Sequence, residues 1–221
     1  MADFAKYYPL LLANEGGYVF DPNDPGGETW RGVSRVFNPH WRGWALVDAA
    51  KARASWPPNS RVYPRNKLAT AILRQNTALA ALVQGFYRAQ YWDSLRLGEI
   101  TSQAIASQLC DIGVNTGTGR VGRLAQYVLA ASFGWPGKVD GKIGPATLKG
   151  INAAPPQAYY EALVAARRSF YQYRAGHPVT PPELVQLLKK VKLVPDASMQ
   201  RYLSAWLSRI DAIPFEKNYE L

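Results

Sequence analysis

One cysteine, two histidines and two methionines in 221 residues leave little material for redox or metal chemistry. Cys110 has no partner for an intramolecular disulfide, and four-ligand Cys/His zinc centres are excluded by the same counts. Neither a metal nor a cofactor is expected. No apolar run approaches the ~20 residues that cross a bilayer, so stable membrane insertion is not expected. The opening Met1–Tyr8 carries an acid at Asp3 and no apolar stretch ending in small residues, so it does not read as a signal peptide. Acids are also scarce, at 16 Asp+Glu against 26 Lys+Arg, for a net charge of +10.

What the chain does have is apolar and aromatic mass. Hydrophobic residues make up 48%, with 7 Trp and 13 Tyr, enough to bury a substantial core and to exclude intrinsic disorder for most of the length. The charge is unevenly placed. Residues 1–50 hold four basic and six acidic side chains, whereas 51–100 hold eight and two. An acidic N-terminal piece thus sits on a basic body, and such a body is drawn to polyanions, among them nucleic acid, anionic lipid and a bacterial wall rich in carboxylate and phosphate. A solvated surface with no partner fits the charge equally well.

Apolar spacing gives a mainly α reading. Phe4, Tyr8, Leu11 and Leu12 fall on one helical face of a segment from Asp3 to Asn14. Paired glycines and Asp-Pro steps from Glu15 to Gly27 enforce turns, and Glu28 to Val36 returns as a short strand, so a small β-hairpin follows the first helix. A short helix near Leu46–Ala54 precedes a long helical stripe from Asn66 to Tyr91, with a break at Asn76-Thr77. Ser102 caps the next helix, Gly134-Trp135-Pro136-Gly137 stops the one after it, and Pro145 opens another. Helices about Pro156–Ala175, Pro182–Val191 and Ser198–Ala212 complete the chain. The expected organisation is a catalytic region 1–100, a helical region 101–175 packed on it and C-terminal helices 176–221, all in one monomeric unit.

Among the acids, Glu15 has the most arranged surroundings: it ends an amphipathic helix, precedes two glycines and lies nine positions before Asp24. Two carboxylates in unequal environments are what glycosidic cleavage needs, one to protonate the leaving oxygen and one to serve the opposite face of the sugar. The bland alternative makes Glu15 a surface residue at a helix end and Asp24 a turn former.

The order Glu15-Gly16-Gly17-Tyr18-Val19, then Asp21-Pro22-x-Asp24-Pro25-Gly26-Gly27, then Thr29-x-x-Gly32-Val33-Ser34 resembles the N-terminal signature of glycoside hydrolase family 108. These are N-acetylmuramidases found among phage endolysins and secretion-associated lysozymes. Tyr91-Trp92-Asp93 and Asp111-x-x-x-Asn115-x-Gly117 are similar to further family segments. Val139-Asp140-Gly141-Lys142-Ile143-Gly144-Pro145 is similar to an accompanying peptidoglycan-binding-like part. The resemblance implies a lysozyme-like helical fold with Glu15 as the catalytic acid. Related phage-type lysozymes space the site as Glu, eight residues, Asp, five residues, Thr. Here Asp24 fits, while Thr29 follows after only four residues and reads equally as a strand residue.

For holding sugar, Tyr18, Trp30, Tyr87, Tyr91 and Asn115 are candidates, by the usual mixture of aromatic faces and placed polar groups. Tyr87 and Tyr91 also continue a helical core stripe, and Asn115 also suits a helix C-terminus. His40, His177 and the cluster Lys189-Lys190-x-Lys192 read as surface, and Cys110 as a small hydrophobe. Asp140-Gly141 lacks the remaining ligands of a calcium loop. The resulting expectation is a hydrolase of the β-1,4 bond between N-acetylmuramic acid and N-acetylglucosamine, with peptidoglycan as partner and nucleic acid not expected. A phage endolysin held in the host cytoplasm until a holin or secretion route releases it fits this reading. The alternatives are a lytic transglycosylase and a non-catalytic wall-binding phage structural module.

Overall fold

The computed structural model describes residues 1–20, 26–57 and 65–215. It is mainly helical with one small sheet. The chain divides into two compact units, one of residues 8–89 and one of residues 1–7 with 90–221.

In the unit 8–89, the later turns of helix α1 (Phe4–Asn14) lead to Glu15 and are followed by strands β1 (Tyr18–Phe20), β2 (Glu28–Trp30) and β3 (Val33–Ser34). The expected hairpin is thus a three-stranded antiparallel sheet in the order β1-β2-β3. The single strand expected over 28–36 reverses at Arg31-Gly32, both at positive φ (43° and 77°). That is the backbone a two-residue hairpin turn requires. In register, Tyr18 lies opposite Trp30 and Trp30 opposite Val33, and all three are buried. Val19 and Thr29 alternate to the other face, with Val19 exposed.

Glu28 is a buried acid in β2, and its charge is met three times. Tyr18 Oη donates to it at 2.7 Å, Lys51 Nζ lies at 2.8 Å and Arg35 Nε at 2.9 Å. Lys51 ends α2 (Gly43–Lys51). Helix α3 (Arg65–Arg74) packs under β1, where the Thr70 hydroxyl accepts from the Tyr18 N–H (2.8 Å) and donates to the Asn66 carbonyl (2.7 Å). A Cβ at Gly17 would sit 2.2 Å from Thr70 Oγ1, so only glycine lets the chain pass there. The break expected at Asn76-Thr77 is real. Asn76 caps α4 (Thr77–Tyr87) by accepting from the Leu79 N–H at 2.9 Å.

The other unit is built around α5 (Gln103–Thr116), which Ser102 caps. Every residue from 104 to 113 is buried, because α6 (Thr118–Phe133) and α8 (Pro156–Arg174) both pack against α5. Helix α7 (Pro145–Ala153) begins with proline as expected, and α9 (Pro182–Lys190) and α10 (Gln200–Asp211) complete the unit. The turn 139–145 is clamped by buried Gln126. Its amide faces Asp140 Oδ1 (2.9 Å), the Lys142 carbonyl (3.0 Å) and Thr147 Oγ1 (3.1 Å), and it accepts from the Gly141 N–H (2.7 Å). Those bonds explain why this stretch is compact without a metal ligand set.

Candidate active site

Glu15 closes the last turn of α1, its N–H bonding the Leu11 carbonyl at 3.1 Å. The side chain is half-buried. Its carboxyl stands over the hairpin turn: a Cβ at Gly32 would fall 2.3 Å from Glu15 Oε2 and 2.2 Å from Tyr87 Oη. An acid from α1 and a phenol from α4 therefore meet within a few ångströms of each other at an exposed glycine. Tyr87 is buried, and its hydroxyl donates to the Arg31 carbonyl at 2.9 Å. With its proton committed there, the phenol oxygen retains acceptor capacity beside the acid.

Arg31 places a permanent cation at the edge of this site. Its guanidinium lies 5.5 Å from the Trp30 ring centre. It also acts on Tyr8: burial pushes that phenol above its ordinary value, and the Arg31 charge works against the push. Gly32 is needed for conformation and for space together. Gly32→Ala is expected to cost about 1–2 kcal/mol from its left-handed backbone alone. A Cβ there also displaces the Glu15 carboxyl. Thermal melting of Gly32→Ala against wild type measures the cost.

The other sequence candidates fall in several places. Trp30 and Tyr18 are 1% and 2% exposed, so their ring faces pack against protein and their contribution here is to hold the sheet. They do not offer the open stacking faces expected of them. Tyr18 spends its hydroxyl on Glu28, while the Trp30 indole N–H has no hydrogen-bond partner among the described residues. Thr29 is half-buried on the outer sheet face. Asp24 lies outside the described residues.

Tyr91 and Asn115 belong to the other unit. Tyr91 is half-buried in the π-helical segment Arg88–Asp93. Asn115 lies inside α5 and donates to the Asp111 carbonyl at 2.8 Å and to Asp111 Oδ2 at 3.2 Å, whereas Gly117 at φ 86° ends the helix. Cys110 is buried. Burial, and then the Asp111 charge, push its thiol well above the ordinary range, which leaves no thiolate to act as nucleophile. Among the described residues no group of three or more His, Cys, Asp or Glu is placed to hold a metal ion. No helix there is long and apolar enough to cross a membrane.

Sequence reasoning passed over Gly32, Arg31 and Glu28 as site or supporting residues. The Arg31-Gly32 step was the available signal, since a glycine two residues after a strand marks a tight turn.

A helical body whose first helix delivers a glutamate to a small antiparallel sheet has the lysozyme-like, mainly α architecture. The chain is similar over 98% of its length, and 98% of the other's, to a solved structure titled "Structure of Brucella abortus SagA", at 20% identity and a TM-score of 0.50. At that identity the likeness concerns the fold. Residues 8–117 match the Glycosyl hydrolase 108 family, and residues 122–211 match the Predicted Peptidoglycan domain. No match was found among curated proteins. The chain thus joins a glycosyl hydrolase 108 domain to a C-terminal peptidoglycan domain, and the pair supports a glycoside hydrolase acting on peptidoglycan.

Proposed function

We propose that the chain cleaves the β-1,4 bond between N-acetylmuramic acid and N-acetylglucosamine, with Glu15 as general acid. The observation that supports this most is the half-buried carboxyl of Glu15 at the exposed Gly32 turn, beside the hydroxyl of Tyr87. A carboxylic acid in that position reaches a bound sugar oxygen while protein shields its other side. Glu15 protonates the leaving oxygen as the C–O bond breaks and positive charge develops on the sugar. Asp24 is assigned to stabilise that charge or to orient the attacking water, with Thr29 as a second water ligand. Tyr91 and Asn115 remain proposed contacts to the glycan.

Peptidoglycan is the proposed partner of the basic surface, with no role for nucleic acid, and the working form is a monomer. The catalytic part is assigned to residues 1–100, followed by 101–175 and the terminal helices 176–221. In the cell this activity fits a phage endolysin that waits in the host cytoplasm and reaches the wall through a holin or a secretion route.

Mass spectrometry of the products released from sacculi tests the reaction. Hydrolysis adds one water per bond cut and leaves reducing muramic ends. Anhydromuramic products instead assign the same acid to a lytic transglycosylase and overturn the hydrolytic step. Sacculus binding with no product at all points to a non-catalytic wall-binding module.

A further inference from the structure

The peptidoglycan domain has a seated aromatic side chain that the fold alone does not demand. Helix α6 ends at Phe133, and Gly134 takes the left-handed conformation (φ 63°). The Trp135 N–H then returns to the Leu129 carbonyl at 3.2 Å. An apolar residue after a C-terminal glycine commonly seals a helix end. That role requires neither an indole nor a special seat for one.

Here the seat is made by two glycines. A Cβ at Gly137 would fall 2.1 Å from Trp135 Cζ2 and 2.2 Å from Cη2, so the Gly137 backbone lies against the benzo ring. A Cβ at Gly150 in α7 would fall 3.0 Å from Trp135 Cδ1 and 3.1 Å from Nε1. The indole is wedged in one orientation yet stays half-exposed. It lines a cleft of about 320 Å³ together with Leu129, Phe133, Pro136, Ala153 and Pro155. None of these side chains is charged. Rings and prolines lose little conformational freedom when a ligand arrives, so the cleft is pre-organised.

The surroundings select the occupant. From residue 122 to 155 there are four cations, Arg123, Lys138, Lys142 and Lys149, against the single acid Asp140. The Asp140 carboxylate already accepts from Gln126 and from the Lys142 N–H (2.8 Å). The three lysines are exposed. An apolar aromatic cleft in a basic surround fits a polymer with C–H-rich sugar faces and acetamido methyl groups that also carries carboxylates.

We propose that the Trp135 cleft binds an N-acetylated sugar of the peptidoglycan glycan strand, as an anchoring site separate from the bond being cut. The proposal rests on the reading of the chain as a peptidoglycan hydrolase. The pyranose C–H face lies on the indole, and the lysines attract the carboxylates of neighbouring muramic acid and stem peptides.

The test uses the full chain, co-sedimented with purified sacculi, and compares wild type with Trp135→Ala and Ala153→Glu. Ala153 is exposed on the cleft, so the glutamate fills the cleft with a repelling charge without removing core packing. Both variants are expected to lose at least about tenfold in sacculus affinity. Turnover of short soluble glycan fragments stays within about twofold and Trp135→Phe retains most of the binding, as a conserved aromatic face requires. If Trp135→Ala lowers the melting temperature, Ala153→Glu decides. Wild-type sacculus affinity in Ala153→Glu overturns the anchoring site, as does an equal loss on soluble fragments. Failure of the enzymatic reading is separate: there Glu15→Gln clears sacculi as fast as wild type, whatever the cleft variants do.

Discussion

Glu15→Gln is expected to lower the rate of sacculus clearing by at least about a hundredfold, because it removes the carboxyl proton that the proposed reaction delivers to the sugar oxygen while keeping the shape of the side chain. An amide accepts and donates hydrogen bonds, but it does not deliver a proton to a departing sugar oxygen. Packing of the Gly32 turn is retained, since the bulk of the group beside Tyr87 Oη is unchanged. The melting temperature and the affinity for sacculi therefore stay close to wild type, and the loss appears in turnover. Zymography on purified sacculi together with a thermal melt reads both quantities. Clearing by Glu15→Gln at the wild-type rate removes Glu15 from the chemistry and the lysozyme reading with it. A loss confined to Glu15→Gln, with Tyr87→Phe retaining most activity, places the phenol in a supporting role.

Much of the fold follows from local chemistry that a sequence displays. Asn76 was legible as a break because an Asn beside Thr, between two apolar stripes, is a cap in waiting, and its side chain makes that bond. Ser102 is the same case. The stop at Gly134 needed only a glycine free to adopt positive φ. Helix α5 was legible as a helix but not in its burial. Ile105, Leu109 and Ile112 mark one face, yet Ser107, Gln108 and Asp111 are buried as fully. Periodicity describes a helix with one wet side, and it misleads for a helix enclosed by its neighbours.

The candidate site divides along the same line. Glu15 was legible because its neighbours in sequence, a helix before and two glycines after, are also what places it in space. Tyr87 read as one more member of a core stripe, and its ring is indeed buried. What brings it to the site is its far end, which reaches the Arg31-Gly32 turn from 56 residues away. Glu28 illustrates the converse. It was not singled out from sequence, and its burial is made tolerable by Arg35, seven residues on across the hairpin, together with Lys51, 23 residues on in α2. Trp30 and Tyr18 carry the residue types of sugar platforms, but their alternation in the sheet assigns them to the inner face.

Asp111→Asn is expected to destabilise the unit of residues 1–7 and 90–221 by about 3–5 kcal/mol, since it leaves a buried guanidinium without its counter-ion. Asp111 and Arg167 are each 1% exposed and form an ion pair. Arg209 reaches the same carboxylate at 2.8 Å and Tyr7 Oη donates to it at 3.1 Å, while Arg167 also donates to Gln108 Oε1 at 2.5 Å. Burial alone pushes the Asp111 carboxyl up. Arg167 and Arg209 outweigh that push and hold it below the usual aspartate value. The folded state therefore binds this proton less readily than the unfolded chain. Its stabilisation is present above the unfolded value of about 3.9 and is withdrawn as pH falls through the lower folded one. Thermal melts from pH 3 to 7 should show wild type losing stability at the acid end, with Asp111→Asn lower throughout and flatter there. Adding Arg167→Met to Asp111→Asn is expected to recover part of the loss, because the stranded charge goes with it. A melting temperature for Asp111→Asn equal to wild type at pH 7 would mean that the network carries no stability, and that α5, α8 and α10 are held by apolar packing alone.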